Sequence, residues 1–265
     1  MSPTAHPLET AGRVGYAFKG VLYVLLGVLA VDTALEGGDT EGQQGALAAV
    51  AESPFGGVLL TVLGIGLAAY ALWRLAMAVL DPEREGSDAE GWAHRIGYAI
   101  SGVAYGSLAF AAYRIVQGGG GGEENGAEQG AQTALSLPGG RWVLALVAIA
   151  VLGYGVYELV RAKRASFMDK LALSGEGAQH RQSVERLGRA GLAARGVVYS
   201  IIGFLLGTAA LRADPDEAVG LDGALSALRD QPYGAVLLGL VGLGLAAYGL
   251  YCWVNARYRR FEGDQ

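Results

Sequence analysis

Apolar residues in this chain do not alternate with polar ones; they come in long uninterrupted runs. Residues 231–256 pass 26 positions without Asp, Glu, Lys or Arg, residues 55–73 pass 19, and residues 96–113 pass 18. An uncharged run of about 18 or more residues is the pattern of a helix that crosses a membrane. A buried helix of a soluble domain is rarely apolar on every face for that length. The pattern predicts six such helices, at roughly 14–35, 56–79, 95–116, 141–160, 189–211 and 234–255. At about 1.5 Å of rise per residue, each crosses a hydrocarbon core of about 30 Å. The expected fold class is therefore all-α and integral to a membrane.

The six runs are three copies of one unit. Arg13, Gly15, Gly20 and Tyr23 define the pattern Arg-x-Gly-x4-Gly-x2-Tyr, which recurs at Arg95, Gly97, Gly102 and Tyr105, and again at Arg189, Gly191, Gly196 and Tyr199. Four fixed positions at one spacing, three times over, mark tandem repeats. Each copy has a second half. Gly45-Ala46-Leu47 leads to Pro54, Gly223-Ala224-Leu225 leads to Pro232, and the middle copy runs from Gly130 to Pro138. An apolar run with an aromatic pair three apart follows: Tyr70 and Trp73, Tyr154 and Tyr157, Tyr248 and Tyr251.

The organisation that results is a tail at 1–10, repeat 1 at 11–80, a link at 81–92, repeat 2 at 93–160, a basic link at 161–187, repeat 3 at 188–257 and a tail at 258–265. Segments 41–53 and 221–230 carry Ala/Leu periodicity before a proline and are expected to be short surface helices. The five-glycine run Gly118–Gly122, with Glu123, Glu124 and Asn125, reads as flexible exposed chain.

Charge placement predicts orientation. Of the 20 Lys and Arg residues, only Arg114, Arg141, Arg212 and Arg229 lie toward the side of the loops at 36–55 and 117–140. Those loops carry Glu36, Asp39, Glu41, Glu52, Glu123, Glu124 and Glu128. Basic residues remain on the cytoplasmic side, so the protein is expected in the cell (plasma or inner) membrane with both termini cytoplasmic. The net charge of −5 then reflects outward loops set against a basic inner face. Helix 1 is expected to be retained rather than cleaved as a signal, because it is equivalent to 95–116 and 189–211. Each repeat crosses twice, so all three face the same way, and pseudo-threefold symmetry along the membrane normal is the natural arrangement.

Composition leaves little room for cofactor chemistry. One cysteine, Cys252, excludes an intrachain disulfide and a multi-cysteine metal site. None of His6, His94 and His180 lies inside an apolar run, which argues against haem held between helices. No cofactor, no metal site and no nucleic-acid partner are expected; the expected partners are membrane lipids, with a membrane protein or a second copy of the chain as further candidates. Arg13, Arg95 and Arg189 start the first helix of each repeat and read as interfacial anchors. The sharper alternative is an anion or lipid-headgroup site made by three guanidinium groups.

Tyr23 follows Arg13 by ten residues, so it lies about 15 Å deeper. Tyr70 lies at similar depth from the same side. Phenols at that depth need hydrogen-bond partners. The pairs Tyr23/Tyr70, Tyr105/Tyr154 and Tyr199/Tyr248 are each expected to make a polar contact within one repeat. As structural glue such a bond is worth roughly 0.6 kcal/mol; the alternative is a polar layer lining a passage. Arg74, Glu158 and Cys252 occupy equivalent positions, and Glu158 is expected to pair with Arg161, three residues on. Asp32 and Arg114 are two further candidates among the ionisable residues of the spans; all lie within about two turns of a helix end, and snorkelling explains most of them.

The thrice-repeated motif, with the endings Ala68-Ala69-Tyr70 and Ala246-Ala247-Tyr248, resembles a bacterial six-helix, three-repeat membrane protein family of unknown function (domain of unknown function, number twelve hundred and six). The resemblance covers about residues 11–257 and implies the architecture without implying an activity. The middle repeat departs most, with Ser101 where the others have Lys19 and Arg195, and with Gly153-Tyr154 in place of Ala-Tyr. No nucleophile–base pair or ligand set is evident, so an enzyme is not expected. The function expected is that of a non-enzymatic structural or accessory membrane protein binding lipid or a partner complex. The alternative is a small-solute carrier or channel with a tyrosine-lined polar layer at mid-membrane.

Overall fold

The computed structural model describes residues 5–80, 89–119, 126–173 and 179–260, and within them the chain is all-α apart from one isolated bridge. The elements are α1 (Ala5–Glu36), α2 (Gln43–Glu52), α3 (Gly56–Leu80), α4 (Ala89–Val116), α5 (Gly126–Ser136), α6 (Gly140–Arg164), α7 (Arg181–Arg212), α8 (Leu221–Arg229) and α9 (Gly234–Tyr258). The six longer helices are long and apolar enough to cross a membrane. Each repeat is thus a long helix, a short helix and a second long helix. The predicted short helices correspond to α2 and α8, and α5 is their counterpart in the middle repeat. Of the predicted flexible stretch, residues 120–125 lie outside the described residues, as does the link at 81–88.

The first helix of each repeat begins about two turns before its apolar run. Those added turns are polar, which is why hydropathy does not reveal them. Glu9–Arg13 and Glu185–Arg189 ion pairs at i,i+4 spacing, 2.7 and 2.8 Å, lie along them. The basic link after α6 is ordered at its start: Ser166–Lys170 form a 3₁₀ turn, and Leu171 pairs antiparallel with Arg259.

The entry to each second long helix is a Pro-x-Gly turn. Phe55, Gly139 and Tyr233 follow the three prolines and have φ of 62°, 76° and 63°. The next residue is glycine each time, and a Cβ there would stand 1.6–2.0 Å from a carbonyl oxygen of the preceding short helix. Only glycine lets the chain reverse so tightly.

The closest helix packing runs between repeats. Helix α3 packs along α4, α6 along α7, and α9 returns to pack along α1, so the second helix of each repeat lies against the first helix of the next and the third repeat closes on the first. Small residues set these approaches. A Cβ at Gly27 would lie 2.5 Å from the Ala246 nitrogen, one at Gly249 2.6 Å from the Gly20 carbonyl, and one at Gly155 2.9 Å from the Gly196 carbonyl. Backbones this close gain dispersion contacts that larger residues would prevent. Within repeats, α1 also touches α3 and α7 touches α9, whereas α4 and α6 do not pack on each other. The outward faces are apolar as well, with Val58, Ile65, Leu72, Leu146, Ile149 and Phe204 exposed. Exposed apolar residues in such number are uncommon on the surface of a soluble monomer.

Candidate functional site: a buried cation and tyrosine cluster

The motif arginines fix the helix ends. Arg13 donates to the carbonyls of Ala256 and Arg257 at 3.0 and 2.8 Å, at the end of α9. Arg95 donates to Ala78 and Val79 at the end of α3, at 2.8 and 3.3 Å. Arg189 donates to Lys163 at 3.0 Å, at the end of α6. Each repeat's arginine therefore caps the last helix of the repeat before it, with the first repeat capping the third. A helix C-terminus leaves carbonyls without partners and carries negative partial charge, so a guanidinium is a suitable cap. Arg13→Gln, Arg95→Gln and Arg189→Gln are each expected to lower stability by about 1 kcal/mol, read as a fall in the thermal unfolding midpoint. An unchanged midpoint in all three would mean that the caps carry no weight.

The six tyrosines pair across repeats, not within them as expected from sequence. Tyr70 meets Tyr105 with ring centroids 4.7 Å apart, Tyr154 meets Tyr199 at 5.1 Å, and Tyr248 meets Tyr23 at 4.7 Å, all edge to face. The reason is the packing already described: a second helix lies closer to the first helix of the next repeat than to its own partner. The pairs close the same circuit as the helices.

What the tyrosines surround is charge. Lys19, one residue before the motif glycine Gly20, is 3% exposed. Its Nζ donates to the Tyr70 hydroxyl at 3.1 Å and lies 4.9 Å from the ring centroids of Tyr70 and Tyr105, 5.4 Å from Tyr248 and 5.8 Å from Tyr23. Arg195, the equivalent residue of the third repeat, is 6% exposed. Its Nη2 donates to Tyr154 and Tyr199, both at 3.3 Å, and its guanidinium lies 4.3 Å from the Tyr248 centroid. The two cations thus occupy the space among all six rings. Cation–π contacts are worth about 2 kcal/mol or more when desolvated. Several together offset the penalty of burying charge.

Two further cations, Arg74 and Arg161, and one carboxylate complete the layer. Arg74 donates from Nε to the Tyr70 hydroxyl at 2.8 Å and stacks near Trp73 and Tyr98. Glu158 is fully buried, 3.1 Å from Arg161 and 3.7 Å from Arg195. Glu158 Oε2 and Arg195 Nε have no hydrogen-bond partner. Cys252, at the position equivalent to Arg74 and Glu158, is buried and free. Among the described residues no group of His, Cys, Asp and Glu side chains could hold a metal ion.

Lys19 and Arg195 carried a signal that the helix pattern hides. Each lies six residues past its motif arginine, about 9 Å beyond the interfacial position. That is too deep for a residue serving only as an anchor. Ser101 at the same place in the middle repeat breaks the repetition that would have drawn notice.

The chain belongs to the Domain of Unknown Function (DUF1206) family, which it matches in three successive blocks, residues 14–81, 96–165 and 190–259. It is similar to "Uncharacterized protein YxxB" of Bacillus subtilis (strain 168), with 36% identity over 260 residues that cover 97% of this chain and 94% of that protein. No solved structure matches it.

Proposed function

We propose that this chain is a multi-pass protein of the cell membrane, with both termini cytoplasmic and three repeats arranged about a pseudo-threefold axis along the membrane normal, and that it serves as a non-enzymatic accessory protein binding membrane lipid or a membrane partner. The observation that carries this reading is the centre of the helix circuit. Lys19 and Arg195 fill the space among the six tyrosines, and most of their donors are directed at phenols and ring faces of the same chain. A side-chain-filled centre favours a structural and binding role over a tyrosine-lined passage. The clustering of basic residues at the end that holds both termini supports the orientation.

Two measurements test the reading. In intact cells, a membrane-impermeant maleimide is expected to label Ser136→Cys, exposed on α5, and to spare His180→Cys, exposed at the start of α7, until the membrane is opened. Labelling in the opposite order would overturn the topology. Proteoliposomes holding the protein are expected to retain small anions and cations as long as protein-free vesicles do; a saturable flux would favour the carrier instead.

A further inference from the structure

The middle repeat alone leaves its two long helices apart. In the first and third repeats the motif glycine is pressed onto the second helix: a Cβ at Gly15 would stand 2.6 Å from Tyr70 Cα, and one at Gly191 2.5 Å from Tyr248 Cα. Gly97, their equivalent, has nothing within 4 Å. The residues it would have covered are open. Tyr154 is 40% and Tyr157 47% exposed, whereas Tyr70, Trp73, Tyr248 and Tyr251 are all at 5% or below. The result is a lateral cleft between α4 and α6.

The cleft leads to the charged layer. Tyr154 stands at its mouth and accepts a hydrogen bond from Arg195 behind it. Arg195 Nε and Glu158 Oε2 are both buried in that layer without a hydrogen-bond partner. Arg161 lies one turn beyond Tyr157, with its guanidinium 5.5 Å from that ring and its side chain 25% exposed. Lys19, Arg74, Arg161 and Arg195 outnumber one carboxylate, Glu158, which Arg161 and Arg195 approach at 3.1 and 3.7 Å. An excess of positive charge in a medium of low dielectric attracts an anion strongly.

The walls of the cleft add the second half of the chemistry. Ile100 and Ala104 follow Gly97 at helical spacing, and Leu146 and Ile149 precede Tyr157 in the same way, all of them exposed. An anionic head and an apolar tail are both accommodated. Arg161 is three residues from the end of α6, about 5 Å along the helix, within reach of a headgroup at the membrane surface. A zwitterionic lipid would bring a further cation into a layer that already holds four.

We propose that the cleft between α4 and α6 binds one acidic phospholipid of the cytoplasmic leaflet, its phosphate held by Arg161 near the end of α6 and its acyl chains lying along the two helices, against Tyr157 and Tyr154. The proposal rests on the reading of the chain as a membrane-spanning, lipid-binding protein, and it names the ligand and the place.

The test uses the full chain in nanodiscs of phosphatidylcholine with a minority of phosphatidylglycerol. After transfer to detergent, the lipid retained per protein is counted by mass spectrometry. Phosphatidylglycerol is expected to be retained over phosphatidylcholine by roughly tenfold relative to the bulk mixture, the size of one charge-assisted hydrogen bond. Arg161→Gln and Gly97→Leu are each expected to return the ratio to that of the bulk. The leucine enters open space and is a better helix former than glycine, so its unfolding midpoint is expected to match or exceed the parent's. If the preference persists in both variants, lipid binds elsewhere: the cleft assignment fails while the lipid-binding reading stands. If the parent retains lipid without preference, the acidic-lipid proposal fails while the lipid-binding reading stands; if it retains no lipid, both fail. If millimolar glycerol phosphate removes the retained lipid, the site takes a soluble anion and the proposal is overturned.

Discussion

Glu158→Gln is expected to destabilise the folded chain by about 3–5 kcal/mol, the usual effect of breaking a buried ion pair by removing one partner. Glu158 is the carboxylate that Arg161 and Arg195 share, at 3.1 and 3.7 Å. Without it, Arg195 stays charged, because a guanidinium does not release its proton in a protein, and it remains 6% exposed with only phenols and ring faces around it. The loss is therefore the cost of an uncompensated cation more than the value of the pair. Arg195→Met in the Glu158→Gln background is expected to recover most of the stability, since the buried cation goes with its carboxylate and Arg161, which loses the same partner, is 25% exposed and can be solvated. Unfolding of the reconstituted protein in increasing denaturant reads both effects. A single variant within about 1 kcal/mol of the parent would mean that water reaches the layer and screens it.

The same layer separates what the sequence discloses from what it hides. The six long helices were legible because uncharged runs such as 231–256 are long and apolar enough to cross a membrane as helices, and α2 and α8 were legible from Ala/Leu periodicity ahead of a proline. The motif positions were legible as a spacing, but their partners were not. Arg13 caps a helix that ends more than 240 residues later in the chain, and no property of one repeat states which neighbour its helices will contact. Pairing the tyrosines within a repeat followed the chain order, whereas the close approach of Gly20 to Gly249 makes α9 the neighbour of α1. Lys19 and Arg195 were hidden because a basic residue near the start of an apolar run ordinarily reads as a surface anchor, and Ser101 breaks the repetition at their position. The opening of the middle repeat left no mark at Gly97, which keeps the motif glycine although nothing packs on it.

That retained glycine makes three equivalent positions with different expected outcomes. Gly15→Ala and Gly191→Ala are each expected to cost about 2 kcal/mol, because the new methyl would meet the Cα of Tyr70 or Tyr248 at 2.5–2.6 Å and helix backbones must separate to admit it. Separation also draws Tyr70 away from Lys19, or Tyr248 away from the Arg195 guanidinium, so the cation layer loosens with the packing. Gly97→Ala meets no atom within 4 Å and replaces a poor helix former by the best, a gain of up to about 1 kcal/mol. Thermal unfolding in one lipid composition compares all three directly. Equal damage at the three sites would show that α4 and α6 come together in the membrane as α1 and α3 do, and the lateral cleft would then be closed in the working protein. A neutral or stabilised Gly97→Ala beside two damaged counterparts fixes the asymmetry in the middle repeat, which is where Ser101 replaces a cation and where Tyr154 is left facing outward.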